Sequence, residues 1–449
     1  MSTLRRRVFL KLLGAGAAAS FVHRPLFDAL ASTEAPSDEF FIIIHQAGGW
    51  DVTLFADPRN ESKGIVDPAT TDLCATQAIA HWVDQPLGDG TTSFQLVQKG
   101  RCTYGPAIGQ LLDLSDRLCV FNGIAMNTVS HPDGTYFSST GRHLSGGRPV
   151  AASIDTLLAS EFGTRQLLPL MSVGFPSTFI GQNLDARAMP LQVSNVTTVT
   201  KSITRARLYD TAADRNAVSA LLAEESRELA KRAHIPDELA GFGFQYDALG
   251  QLLGEDAKAL FDQTKLKAAH PAFNYTGTYQ GSKVINASFA IEAIRRRLLR
   301  CVSFAMSGCD THNANYRNHP MILQETFDMI ATLVKEMDGI TFDGSNHKLS
   351  DHVHILVVSE FCRTPQINLM SGRDHYPNNS ALVISPRFRG DYQYGKTDAE
   401  QLLPLASGVF VDGSRAITPA DLLATFLAAF RIDPRKYMRD GEVIQDVLR

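Results

Sequence analysis

The chain has 449 residues, 44% of them hydrophobic and 20% charged, with 33 Gly and 20 Pro. That composition is globular and excludes a disordered chain, a collagen or a coiled coil; a net charge of −4 gives no bulk attraction to nucleic acid. Only the extreme N-terminus is apolar enough to meet a membrane, so a polytopic membrane protein is excluded as well.

In chain order, the first signal is an address. Arg6-Arg7-Val8-Phe9-Leu10-Lys11 matches the twin-arginine export core, a weakly apolar segment comes next over Leu12–Val22, and Ala29-Leu30-Ala31 offers a cleavage site before Ser32. Loss of residues 1–31 would remove five bases (Arg5, Arg6, Arg7, Lys11, Arg24) and one acid (Asp28), taking the net charge from −4 to −8. The expected partner at this step is the twin-arginine translocase. The expected location is periplasmic or extracellular, with no stable membrane span after cleavage.

From residue 38 onward, strand and helix signals alternate. Phe40–His45 reads as a buried strand, as do Arg117–Phe121, Cys301–Met306, His352–Val358 and Ala381–Ile384. Helical patterns lie at Ala151–Phe162, Asp210–Arg232, Asn286–Arg300, Met321–Met337 after Pro320, and Pro419–Phe430 with Thr418 as N-cap. Continuous apolar strands between helices predict an α/β fold with a mostly parallel central sheet covered on both faces. Weak strand signals over 168–279 predict a helical insertion or cap within one domain spanning 38–449. The six cysteines include no Cys-x-x-Cys, and several sit in apolar runs, so buried free thiols are expected.

In open α/β sheets, ligands gather beyond the carboxyl ends of the strands. Near the strand ends lie Gly48-Gly49-Trp50-Asp51, Ser130-His131-Pro132-Asp133, Gly308-Cys309-Asp310-Thr311-His312, Ser359-Glu360-Phe361-Cys362-Arg363 and Gly372-Arg373-Asp374-His375. Each alone is a common turn or cap. Together they direct Asp51, Ser130, His131, Asp310, His312, Glu360, Asp374 and His375 toward one sheet edge. Carboxylates and imidazoles gathered this way suit a divalent metal such as zinc or manganese.

The order of these motifs, continued by Thr364-Pro365 and by Pro377, resembles the exported bacterial family called domain of unknown function 1501. That family is similar to the alkaline phosphatase and sulfatase superfamily. The resemblance implies a three-layer α/β/α sandwich and a one- or two-metal site at the sheet edge. It implies metal ligation by Asp51, Asp310, His312, Glu360, Asp374 and His375, with Ser130 as nucleophile. His131 or Asp133 would fill a gap left where Phe361 stands in place of a ligand. Arg363 would bind the anion, with Arg142 and Arg373 as alternatives; otherwise Arg363 pairs with Glu360 or a nearby carboxylate. The sulfatase modification pattern is absent.

Two readings of function are open. One is an exported metal-dependent hydrolase of a small phosphate or related anionic ester. The other is a non-catalytic exported binding or assembly protein keeping a degenerate site. Gly390–Thr397 matches a phosphate loop by letter. Pro386 separates it from the preceding strand, and Pro404 stops the segment after it, so a surface hairpin or turn is expected there.

Overall fold

The computed structural model describes residues 38–59, 78–86, 92–163, 166, 168–181, 183–196, 217, 220–221, 224, 228, 259–342, 346–407 and 415–449. The export signal, Cys74 and most of the segment Asp210–Arg232 lie outside them.

Strand β1 (Phe40–Gln46) is buried along its whole length, because both of its edges and both of its faces are covered. It pairs in parallel with β5 (Leu299–Met306) on one side and β6 (Val353–Val358) on the other. The sheet is completed by β2 (Leu118–Ala125), β3 (Leu168–Val173), β4 (Leu191–Val193), β7 (Asn378–Ile384) and β8 (Tyr392–Tyr394). Their order is β8-β2-β7-β6-β1-β5-β3-β4. Among these eight, only β7 runs antiparallel to its neighbours.

Strand side chains alternate between faces, and here both faces are apolar. Phe40, Ile42 and Ile44 join one core with Val302, Phe304 and Ile355, covered by α4 (Ile285–Arg295), α5 (Asn315–Asp338) and the 3₁₀ turns of Pro106–Arg117. Phe41 and Ile43 join the other with Leu356 and Val383, covered by α2 (Ile154–Phe162) and α6 (Pro419–Ala429). The architecture is therefore α/β with helices on both faces. Thr418 is the N-cap of α6, as its sequence predicts, and its amide donates to Asp421 in the first turn (2.8 Å). Among the described residues, no helix is long and apolar enough to cross a membrane.

Three expectations are corrected. Residues 168–193 do not begin a cap: β3 and β4 extend the sheet beyond β5. Pro169 and the shortness of β4 weaken their strand signals. Of the other described residues in 168–279, 217, 220–221, 224 and 228 are helical and 259–279 holds α3 (Gln263–Ala269), so the expected helix lies beyond β4. The middle of the phosphate-loop look-alike, Tyr392–Tyr394, is no surface hairpin or turn but the edge strand β8, parallel to β2. Helix α5 begins at Asn315 and carries Pro320 inside it, so a proline expected to start the helix lies past its first turn. The described cysteines, Cys102, Cys119, Cys301, Cys309 and Cys362, are buried free thiols, as expected.

Candidate metal centre

The parallel strands β1, β2, β5 and β6 end at one edge, so the loops after them meet there. Because β7 is antiparallel, the residues that precede it reach the same edge. This brings Asp374 and His375 to the loops after β2, β5 and β6. A minimal ladder pins them, Cys362–Arg363 against His375–Tyr376.

Helix α1 (His131–Thr140) starts at the edge, with His131 in its first turn and Ser130 as N-cap. The Ser130 side chain does not cap the helix. His131, Asp310 and His375 each bring one ligand atom within 4.8 Å of the others. Asp310 Oδ1 lies 3.5 Å from His131 Nε2, 3.1 Å from His312 Nε2 and 3.3 Å from His375 Nε2. Ligand atoms at about 2.0–2.1 Å from a tetrahedral zinc would stand roughly 3.3 Å apart.

The far side of each imidazole is fixed by an acceptor. His131 Nδ1 is 2.8 Å from Glu360 Oε1, His312 Nδ1 is 2.7 Å from Asp374 Oδ1, and His375 Nδ1 is 2.9 Å from the Val129 carbonyl. A carbonyl or a carboxylate only accepts, so in the neutral rings Nδ1 carries the proton and Nε2 presents a lone pair. This is the outer shell that metal-binding histidines use. Two features then call for a cation. His312 Nε2 and His375 Nε2 are 2.9 Å apart, so two lone pairs face each other unless a proton or a metal intervenes. His131 Nε2 is buried and makes no hydrogen bond. The mutually close donor set, His131, His375 and Asp310, fits a borderline divalent ion, with His312 beside Asp310 and His375. These imidazole side chains keep 22–44% of their surface exposed, which leaves room for a further ligand.

Electrostatics keep both carboxylates ionised. Burial opposes ionisation of Asp310, but the Arg363 hydrogen bond and charge outweigh it and hold the carboxyl at about 2. Glu360 is buried and still lies below the usual carboxylate range. Its burial is offset by the His131 hydrogen bond, by His45 and by the Gly48 amide, 2.6 Å away. The Glu360 hydrogen bond in turn raises His131. His375 is lowered, first by burial.

Close approach of backbone builds the floor. Gly48 has φ +109°, and a Cβ there would stand 2.5 Å from the Asp310 amide nitrogen. A Cβ on Gly49 would strike the Phe361 ring. Phe361 is fully buried, with its ring centroid 4.9 Å from that of His131 and 4.6 Å from that of His375. It supplies an apolar wall behind two of the imidazoles.

Several residues expected at the centre hold other places. Glu360 and Asp374 stand behind His131 and His312, orienting them. Asp51 is fully buried and taken up by Thr53, Asn315 and Arg373. Arg363 is fully buried: it donates to the carbonyls of Gly48, Gly49 and Arg373 and to Asp310 Oδ1 (2.6 Å), which is its ion pair, in place of Glu360. Its fork therefore faces no open side. Arg373 is buried on Asp51, and Arg142 pairs with Asp440. Asp133 holds His143 and the Leu144 amide. The motifs do not include His45, whose Nε2 lies 2.9 Å from Glu360 Oε2. Its signal is a histidine closing an otherwise apolar strand, which must find a partner.

The family described as protein of unknown function (DUF1501) matches residues 39–443. The chain belongs to that family. The match spans every residue of the centre, so the motif order that suggests the family is also the order that builds the site. A comparison with curated proteins finds no match.

Because Glu360 orients His131 without touching the ion position, Glu360→Gln should weaken zinc affinity about 10–100-fold while the fold persists. Competition with a chromophoric chelator measures it. Unchanged affinity would remove Glu360 from the outer shell.

Proposed function

We propose that this chain is a metal-dependent hydrolase of phosphate or related anionic esters, built on an alkaline phosphatase-like sandwich. One observation carries the reading: three imidazoles, each fixed through Nδ1, turn their Nε2 atoms onto one carboxylate at the carboxyl edge of the sheet. His131, Asp310, His312 and His375 would hold a divalent ion, zinc or manganese. Such an ion supplies a Lewis acid that lowers the pKa of a water or hydroxyl and polarises the ester oxygen.

The chain's own groups do the rest. Ser130 is exposed beside His131, and its hydroxyl is not spent on capping α1, so it is available as nucleophile. The amides opening α1 attract an anion. Phe361 and the buried Glu360 keep His131 in the tautomer that presents Nε2. The twin-arginine motif supports export to the periplasm or beyond, with the translocase as a transient partner.

The experiment recovers the mature protein, expected to begin at Ser32, from the periplasm. Its metal is measured by elemental analysis, and it is offered aryl phosphate mono- and diesters. About one or two equivalents of metal with turnover, and turnover lost but metal kept in Ser130→Ala, would support the reading. A folded, metal-free protein would sink it. The burial of Arg363 and Arg373 favours a second reading, in which the ion is held for binding or assembly without hydrolysis. Metal without turnover of any ester would select that one.

A further inference from the structure

The carboxylate of Asp51 lies in a closed ring of hydrogen bonds beneath the centre. The Asp51 amide donates to His319 Nε2 (2.9 Å), so the proton of that neutral ring sits on Nδ1, which faces Thr311 Oγ1 at 2.8 Å. The Thr311 hydroxyl is then free to donate to Asn315 Oδ1 (2.6 Å), and Asn315 Nδ2 returns to Asp51 Oδ2 (2.8 Å). Every one of these side chains is buried. Asn315 and His319 are four residues apart on α5, so both present to the same side. Burial, with the nearby Arg363 and Arg373 charges, holds His319 at about 3 even though Asp51 pulls the other way, so the ring keeps one proton pattern across the working pH range.

The ring is tied to the loop before β7. Arg373 Nη1 donates to Asp51 Oδ1 and to Thr53 Oγ1, each 3.2 Å away, and its Nη2 donates to the Tyr316 hydroxyl at 2.9 Å. Its amide donates to the Thr311 carbonyl (3.1 Å). Thr311 lies between Asp310 and His312, and Arg373 lies two residues before His375. Both connections therefore run straight into the groups that surround the ion position.

We infer that the Asp51–His319–Thr311–Asn315 ring, joined to Arg373, is a positioning device that sets the separation between Asp310–His312 and Asp374–His375, and so the affinity of the metal centre. Thr311 is its pivotal positioning residue, because its hydroxyl accepts from His319 Nδ1 and donates to Asn315 Oδ1. This inference rests on the metal reading above.

Thr311→Val deletes the hydroxyl and leaves every ligand in place; Thr311→Ser restores it. Zinc affinity is measured by chelator competition on the full mature chain. The absorption spectrum of the cobalt-loaded protein and its thermal midpoint are recorded alongside. The expected result is a 10–100-fold loss of affinity and an altered cobalt spectrum in Thr311→Val, both recovered in Thr311→Ser. Thr311→Val that melts earlier yet binds zinc like the parent, with an unchanged cobalt spectrum, would overturn the inference while leaving the centre intact. A parent chain that binds neither metal would overturn both, and His131→Ala, binding as the parent does, would point to a site elsewhere and also end the inference.

Discussion

Asp310→Ala is expected to lose its metal. The carboxylate is the shared neighbour of all three Nε2 atoms, and it is the one acidic ligand atom among them. Without it, three neutral imidazoles would face the cationic Arg363, which loses its ion pair but keeps its three carbonyl acceptors. Because orienting partners alone cost 10–100-fold, removing a direct ligand should cost more than about 100-fold. Elemental analysis after gel filtration against a weak chelator reads it: near one equivalent in the parent and near none in the variant. Circular dichroism should stay unchanged, since Asp310 is exposed on one side and Arg363 remains held. The parent should also release its ion as pH falls from about 7.5 to about 5.5, because only neutral imidazoles bind. Glu360 raises His131 above its ordinary value, so a proton competes there first. Full occupancy in Asp310→Ala, or occupancy that ignores pH, would refute the assigned ligands.

Arg373→Ala should cost the fold about 3–5 kcal/mol, because it strands the Asp51 carboxylate with no cation in a site both side chains occupy with no exposure. Burial alone would raise the Asp51 carboxyl; Arg373, with His319 and the Thr53 and Asn315 hydrogen bonds, brings it below the usual range. Against a typical total of about 5–15 kcal/mol, that is a large share. Urea denaturation of the metal-free protein measures it without a contribution from ligand binding. Asp51→Ala combined with Arg373→Leu should be less damaging than the sum of the singles, because neither charge is then left alone. A loss under about 1 kcal/mol in Arg373→Ala would mean that water reaches Asp51.

The sheet is legible in the sequence wherever a strand is a continuous apolar run. Phe40–His45, Cys301–Met306 and His352–Val358 are such runs, and they are the central strands β1, β5 and β6. Legibility fails at the flanks. Leu168–Val173 contains a proline, and Tyr392–Tyr394 is three residues inside a glycine-bounded loop, so neither announces itself. The five motifs place His131, Asp310, His312 and His375 at one edge, because all of them flank strand ends. Their separate duties are not legible. Whether Asp51 reaches the ion or turns under it depends on Asn315, His319 and Arg373, which come from 264, 268 and 322 residues further along the chain. Glu360, expected as a ligand, orients instead, since a buried carboxylate beside His131 and His45 is taken up by both. The direction of β7 is equally hidden, although it is what delivers His375.

The centre draws on residues as far apart as 131 and 375, and its four groups meet only after β2, β5 and β7 have taken their places. Every loop that must close first costs chain entropy before any metal bond can repay it. An ion held there could therefore not act as a seed around which this chain collapses, as it does in small zinc-nucleated folds. On the proposed reading it would be bound by the finished architecture. The compartment in which folding is completed, more than the one in which the protein later resides, would then decide which metal it carries.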